Sequence, residues 1–416
     1  MTAAAPQAVA PRAAAPAPAR RGVPWWAWAA VVLAALLLRL AVVEVVPRRI
    51  LFRDGVQYEE IGRLLHEQGT YGLQSKRPPG YPTLIAGVYA VLGTDLFRLR
   101  VVEAMLGAAS VALIGAVGAS LFGPAAGLVA ALLAAAHPVL ALLPATQYSE
   151  NTLVLVIVLA FAAAYAAWRR GGLWRWALAG VLFGLALLTR PNVVLMLPGA
   201  ALGFGLALAR GRRGWLAPLL VTALAAALVV APWIVRNQRV YHRWFFVATG
   251  GGYMLYAGNS PLATGTADGG APLDAAALAE LARQPDAVSS DRLLFGKALT
   301  YMREHPGRAA RLYLLKIGSL FALYPTPMTR TALSRWWALA AQAAATLVLY
   351  AGALLALPRL RRTPELWPLL GSILTFAVVN SLFWTVMRYR MAFEPCLLWM
   401  AGLGWVALLE RRRVNP

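Results

Sequence analysis

A chain of 416 residues that is 60% hydrophobic and only 13% charged, with a mean hydropathy of +0.62, lies outside the range of soluble domains; those are about half apolar and about a quarter charged. The net charge of +22 would suggest nucleic acid in a soluble protein, but most of the basic residues fall in short loops between apolar runs, the pattern that orients membrane proteins. A single cysteine, Cys396, excludes an internal disulfide and any Cys-x-x-Cys site, and the four histidines (His66, His137, His242, His305) have no metal-ligand spacing.

Residues 1–22 are Ala, Pro and Arg without an apolar core, so they are expected to form a disordered cytoplasmic tail rather than a signal peptide. The apolar runs that follow are long and continuous rather than alternating, which predicts helices and not a barrel. A crossing needs about 20 apolar residues. About ten spans are predicted, near 24–46, 99–121, 124–143, 150–168, 175–190, 192–209, 215–235, 336–357, 366–386 and 392–409. A further apolar piece, 312–325, is short for a crossing and would make eleven. Read as non-crossing, it leaves Arg169–Arg175, 210–214, 359–362 and the basic tail 411–416 on the cytoplasmic side, with both termini. Two long stretches, about 47–98 and 236–308, then lie on the outer face of one transmembrane unit spanning 23–410. There is no internal repeat.

Polar motifs collect at that outer level: Asp54, RPPGYP (77–82), TQYSEN (146–151), TRPN (189–192), RNQ (236–238), GGGYMLYAGNSP (250–261) and RYR (388–390). Polar groups gathered at one end of a helix bundle predict a site opening to that face. Residues 54–68 have a helical period, with Tyr58, Ile61, Leu64 and Leu65 on one face and Glu59, Glu60, Arg63 and Glu67 on the other. This helix is too short to span and should lie on the membrane surface until Gly69 ends it. The spacing of Asp54 and Gln57 fits a capping box. Asp54 can equally serve as a general base held where the first span emerges, while Glu59 and Glu60 fit a solvated face. Pro78 and Pro79 break the chain before Gly80. Lys76 and Arg77 are either interface anchors or phosphate ligands. Arg190 and Arg236 each close an apolar run, where snorkelling is the default reading, and Arg388 and Arg390 flank Tyr389 at another outer helix end; the positive-inside rule does not put arginine at these ends. A guanidinium there suits a phosphate, because its planar fork makes two hydrogen bonds.

These motifs, in this order and spacing, resemble the polytopic lipid-linked-sugar transferases of the GT-C fold. The likeness is to the bacterial branch of the dolichyl-phosphate-mannose–protein mannosyltransferase family, including the aminoarabinose transferase of lipid A, and it covers roughly 25–410. The resemblance implies a catalytic carboxylate at Asp54 and a second acid at Glu150. It also implies donor-phosphate contacts by Lys76, Arg77, Arg388 and Arg390, with Arg190, Arg236 and Tyr389 beside them. Tyr58, Tyr81, Tyr148 and Asn259 are the expected cavity residues. One departure is that Gly55 follows Asp54 where eukaryotic relatives have two adjacent acids. The implied activity is transfer of a sugar from a polyprenyl-phosphate donor to a lipid, glycan or protein acceptor on the outer face, with inversion. A transporter or flippase of a lipid-linked sugar is the alternative of another class. No metal ligand is assigned; Asp54 and Glu150 could hold a divalent ion through oxygen, though no His/Asp cluster demands one. The expected partners are donor, acceptor and bilayer, not nucleic acid.

Overall fold

The computed structural model describes residues 22–210, 214–266, 273–324 and 336–414. The expected N-terminal tail up to Arg21, Arg212 and Arg213 of the 210–214 loop, Pro325, and the last two residues of the basic tail lie outside them. Every regular element among the described residues is helical.

The chain begins with α1 (Trp25–Val45), α2 (Arg53–Gln68), α3 (Gly80–Leu92) and α4 (Leu96–Phe122). Then come α5 (Pro124–Ala136), α6 (Pro138–Leu142), α7 (Glu150–Arg170), α8 (Leu173–Thr189), α9 (Leu197–Ala209) and α10 (Leu216–Tyr241). A mostly polar region follows, with α11 (Gly251–Gly258), α12 (Ala275–Leu281), α13 (Ala287–Glu304) and α14 (Pro306–Leu320). The chain closes with α15 (Trp336–Ala356), α16 (Leu366–Asn380), a 3-10 helix at Met387–Ala392, and α17 (Glu394–Val414).

Six helical segments among the described residues are long and apolar enough to cross a membrane: Trp25–Val45, Leu96–Phe122, Glu150–Arg170, Pro191–Ala209, Leu216–Tyr241 and Trp336–Arg359. The pair α5–α6, bent by 58° at His137, makes a seventh if it is one span. Pro138 accounts for the bend, since it cannot donate to the preceding turn. The expected spans near 175–190 and 366–386 appear as the shorter apolar helices α8 and α16. The helix α3 is also short and apolar; it starts at Gly80, directly after the Pro78–Pro79 break, within the 47–98 stretch. The protein is thus an all-helical, multi-pass membrane protein. Of the 312–325 piece, Leu312–Leu320 closes α14, which carries Arg308, Arg311 and Lys316 and is not among the helices apolar enough to cross.

The bundle holds together through small residues. With lipid outside, helices gain little from hydrophobic burial against each other and rely on close packing. A Cβ on Gly199 of α9 would stand 1.9 Å from the carbonyl oxygen of Gly371 on α16, and one on Gly404 of α17 would stand 1.9 Å from that of Gly352 on α15. Around these contacts, Phe161, Trp176, Phe204 and Trp399 fill one continuous buried core. A smaller core of Tyr58, Tyr81, Ile85 and Tyr89 seats α2 on α3.

Candidate functional site at the α2 start

The first turn of α2 is pressed against the segment leading into α7. A Cβ on Gly55 would be 2.7 Å from the Thr146 carbonyl oxygen, so glycine permits this approach. Gln147 takes a left-handed backbone (φ 53°) and redirects the chain toward Glu150, the first residue of α7. Arg100 of α4, 1% exposed, ties the two segments together. It donates to the Pro47 carbonyl (2.8 Å), the Arg49 carbonyl (3.0 Å) and Gln147 Oε1 (3.2 Å). Sequence reasoning missed Arg100, because an arginine near the start of an apolar run looks like any interface anchor.

Five charged side chains converge there. Asp54 does not cap α2; Phe52 holds the cap position without a side-chain bond. The two Asp54 oxygens are taken by arginines instead: Oδ1 by Arg77 Nη2 at 2.5 Å and Oδ2 by Arg388 Nη2. Arg388 also reaches Glu150 Oε1 through Nε (3.3 Å), and Arg190 Nη1 lies 2.6 Å from the same oxygen. Glu150 is 1% exposed, and neither of its oxygens receives an aligned hydrogen bond; the arginine contacts are ionic. Each guanidinium lies near a tyrosine ring: Arg77 by Tyr58 (5.0 Å to the centroid), Arg388 by Tyr148 (4.1 Å) and Arg190 by Tyr389 (5.3 Å). The loop and helix breaks explain these placements. Pro191 halts α8 and leaves Arg190 extended, while Arg388 sits on the short 3-10 helix.

Three cations surround two anions, so the cluster carries a net +1 and has spare capacity for an anion. Burial would by itself raise the Asp54 carboxyl; the charges of Arg388 and Arg77 and their hydrogen bonds outweigh it and hold its pKa well below the usual carboxylate range. For Arg388, burial works against the charge, yet Glu150 and Asp54 raise its pKa well above the ordinary value. Both acids face guanidiniums, and no group of three or more His, Cys, Asp or Glu suited to a metal occurs among the described residues.

The other expected site residues lie elsewhere or behind. Tyr81 packs edge-on to Tyr58, beneath the cluster, and is fully buried. Lys76 is exposed next to Arg77. Arg236 donates to the Gly72 carbonyl (2.6 Å) and stacks on Trp233. Arg390 is wholly buried against Glu394 (2.9 Å) and Tyr350 (2.7 Å), with His137 Nε2 3.1 Å from the far side of Glu394. Asn259 donates to the Leu255 and Leu382 carbonyls. Glu59 is not a free solvated acid; it accepts from Arg63 (2.6 Å) and from Tyr89 Oη (2.8 Å), linking α2 to α3.

Residues 76–235 match the model of the dolichyl-phosphate-mannose-protein mannosyltransferase family. No curated protein matches the chain by sequence. Among solved structures, the oligosaccharyltransferase of Archaeoglobus fulgidus tethered to an acceptor peptide is similar, with a TM-score of 0.55 and 16% identity over 94% of this chain and 50% of that one. The archaeal oligosaccharyltransferase AglB of the same organism, in complex with an inhibitory peptide and a dolichol-phosphate, matches with a TM-score of 0.55 and 15% identity over 94% and 51%. ArnT from Cupriavidus metallidurans, bound to undecaprenyl phosphate, matches with a TM-score of 0.43 and 18% identity over 91% and 77%. The chain spans about half the length of the oligosaccharyltransferases it matches. It has the fold of the GT-C polytopic membrane glycosyltransferases.

Proposed function

We propose that the chain is a membrane glycosyltransferase that moves a sugar from a polyprenyl-phosphate donor to a hydroxyl acceptor on the outer face of the membrane. The observation that carries this reading is the cluster in which Arg388 bridges Asp54 and Glu150, flanked by Arg77 and Arg190. The match of 76–235 to a mannosyltransferase family, and the dolichol-phosphate held by a solved relative of the same fold, support a lipid-phosphate donor.

The chemistry needs two things. The leaving phosphate departs without a proton if its charge is stabilised, and arginines in a water-poor site supply that; each well-placed donor contributes about 10²–10³ in rate. The acceptor hydroxyl must lose its proton as its oxygen attacks the anomeric carbon. The new C–O bond forms on the face opposite the phosphate, the bond to the phosphate oxygen breaks with its electron pair, and the proton passes to a carboxylate. The product is inverted at the anomeric carbon. Asp54 takes the proton in this reading. Its arginine pairs make it a weak base in the resting protein. A donor phosphate would compete for Arg77 and Arg388, and their loss would strengthen Asp54 as a base when the substrate arrives. A second reading assigns the proton to Glu150, because both of its buried oxygens lack an aligned donor.

The test compares Asp54→Asn and Glu150→Gln with wild type at matched protein levels, by mass spectrometry of surface glycolipids, glycans and proteins and by transfer from a labelled lipid-linked sugar. Asp54→Asn is expected to reduce transfer by about 10²–10⁴, with unglycosylated acceptor accumulating. Full transfer by Asp54→Asn with loss in Glu150→Gln moves the base to Glu150. Intact movement of the labelled donor, with its phosphate–sugar bond unbroken, indicates a flippase instead.

A further inference from the structure

Arg388 sits on a six-residue 3-10 helix, Met387–Ala392, which by itself is a weak support for a group that must hold a phosphate. Its C-terminal side is fixed by the buried Arg390–Glu394 pair. Its N-terminal approach, 381–386, is irregular backbone, and its carbonyls need partners. One of them, the Leu382 carbonyl, is met from a buried side chain that also reaches α11. Lys316 of α14, 1% exposed, donates to the Leu382 carbonyl (3.0 Å), the Gly258 carbonyl (3.1 Å) and Asn259 Oδ1 (2.9 Å). The three acceptors match the three donors of an ammonium group. Lys316 forms no ion pair with a carboxylate among the described residues.

The surrounding bonds join the same pieces. Asn259 Nδ2 donates to the Leu382 carbonyl (2.6 Å), and Ser319 Oγ, on the α14 face shared with Lys316, donates to the Thr385 carbonyl (3.2 Å). The Trp384 amide donates to the Met254 carbonyl (2.8 Å), and Tyr389 Oη lies 3.9 Å from Met254 Sδ. The GNSP motif is therefore spent on a junction between α11, α14 and the segment before Arg388. A buried amine without a counter-charge is costly in folding terms, and a methionine would fill the same space.

We infer that Lys316 is a positioning residue for Arg388, coupling the outer α11–α14 region to the anion cluster. The inference rests on the proposed role of that cluster. Lys316 touches neither Asp54 nor Glu150; it acts through the 381–386 backbone.

The experiment uses the full chain in nanodiscs, wild type, Lys316→Met, Arg388→Lys and the double variant. It measures binding of undecaprenyl phosphate, sugar transfer, and amide hydrogen exchange over 381–389. Lys316→Met is expected to weaken phosphate binding and to lower transfer by about 10²-fold, with faster exchange at 381–389. In the Arg388→Lys background it should add little, because both changes act on one contact. Equal losses in the two backgrounds overturn the inference, as does unchanged exchange at 381–389. Where Lys316→Met does not fold, Ser319→Ala, which removes one bond to the same segment, should give a smaller change of the same kind, and no change in it counts against the inference. If the wild type neither binds the probe nor transfers sugar, the reading of the cluster fails; hydrogen exchange still decides whether Lys316 holds the segment.

Discussion

Asp54 spends both oxygens on arginines, and that sets its response to pH. Its folded pKa lies below the ordinary carboxylate value of about 3.9. The stability this pairing contributes is fully present above that value and is lost as pH falls toward the folded pKa. The melting-temperature difference between wild type and Asp54→Asn should therefore stay flat from pH 8 to about pH 5 and shrink below about pH 4. A difference that already shrinks between pH 7 and 5 would contradict the arginine pairing. Arg100 offers a second test at this scale. Arg100→Met removes the tie between the approaches to Asp54 and Glu150, so kcat should fall by about tenfold or more with a smaller effect on donor binding. Asp54, Glu150, Arg77, Arg190 and Arg388 were all visible as outer-level polar residues. Arg390 and Asn259 looked the same in sequence, because a polar residue at the end of an apolar run does not announce whether it turns toward a cavity or inward to a carboxylate or carbonyl.

Among the elements, the 3-10 helix at Met387–Ala392 depends on a pair of side chains that are both 0% exposed, Arg390 and Glu394. Removing one partner of such a pair leaves a buried charge and costs about 3–5 kcal/mol. Glu394→Gln should therefore lower thermal stability, and Arg388-dependent phosphate binding should fall with it; an unchanged melting temperature would show that the pair is not an anchor. The α9–α16 contact makes a steric prediction. Gly199→Val must force the two backbones apart, since the Gly371 oxygen occupies the space. Overpacking of this kind costs about 1–3 kcal/mol or more, which thermal unfolding in detergent would show.

For the whole molecule, the proposed topology, argued from the spacing of arginine-rich loops, predicts the cluster on the outer face. Single cysteines introduced at exposed Lys76 and Arg53 should react with a membrane-impermeant maleimide in intact cells, and one at Arg361 should not. The native Cys396 is buried, so background labelling should be low. Reaction of the Arg361 position alone would invert the topology and move the site to the cytoplasmic side.

Composition and the length of apolar runs determined that this is a helical membrane protein, because a backbone in lipid must satisfy its own hydrogen bonds. Motif order pointed to the fold and to the acids and arginines worth watching. The tertiary structure alone decided that Asp54 pairs with arginines rather than capping its helix, and that Arg388 faces the cluster while Arg390 turns away. Those outcomes depend on contacts between residues separated by up to 334 positions, as in Arg388 with Asp54. Hydropathy and local spacing report only what a residue can reach along its own helix; which distant partner it meets is fixed when the helices pack.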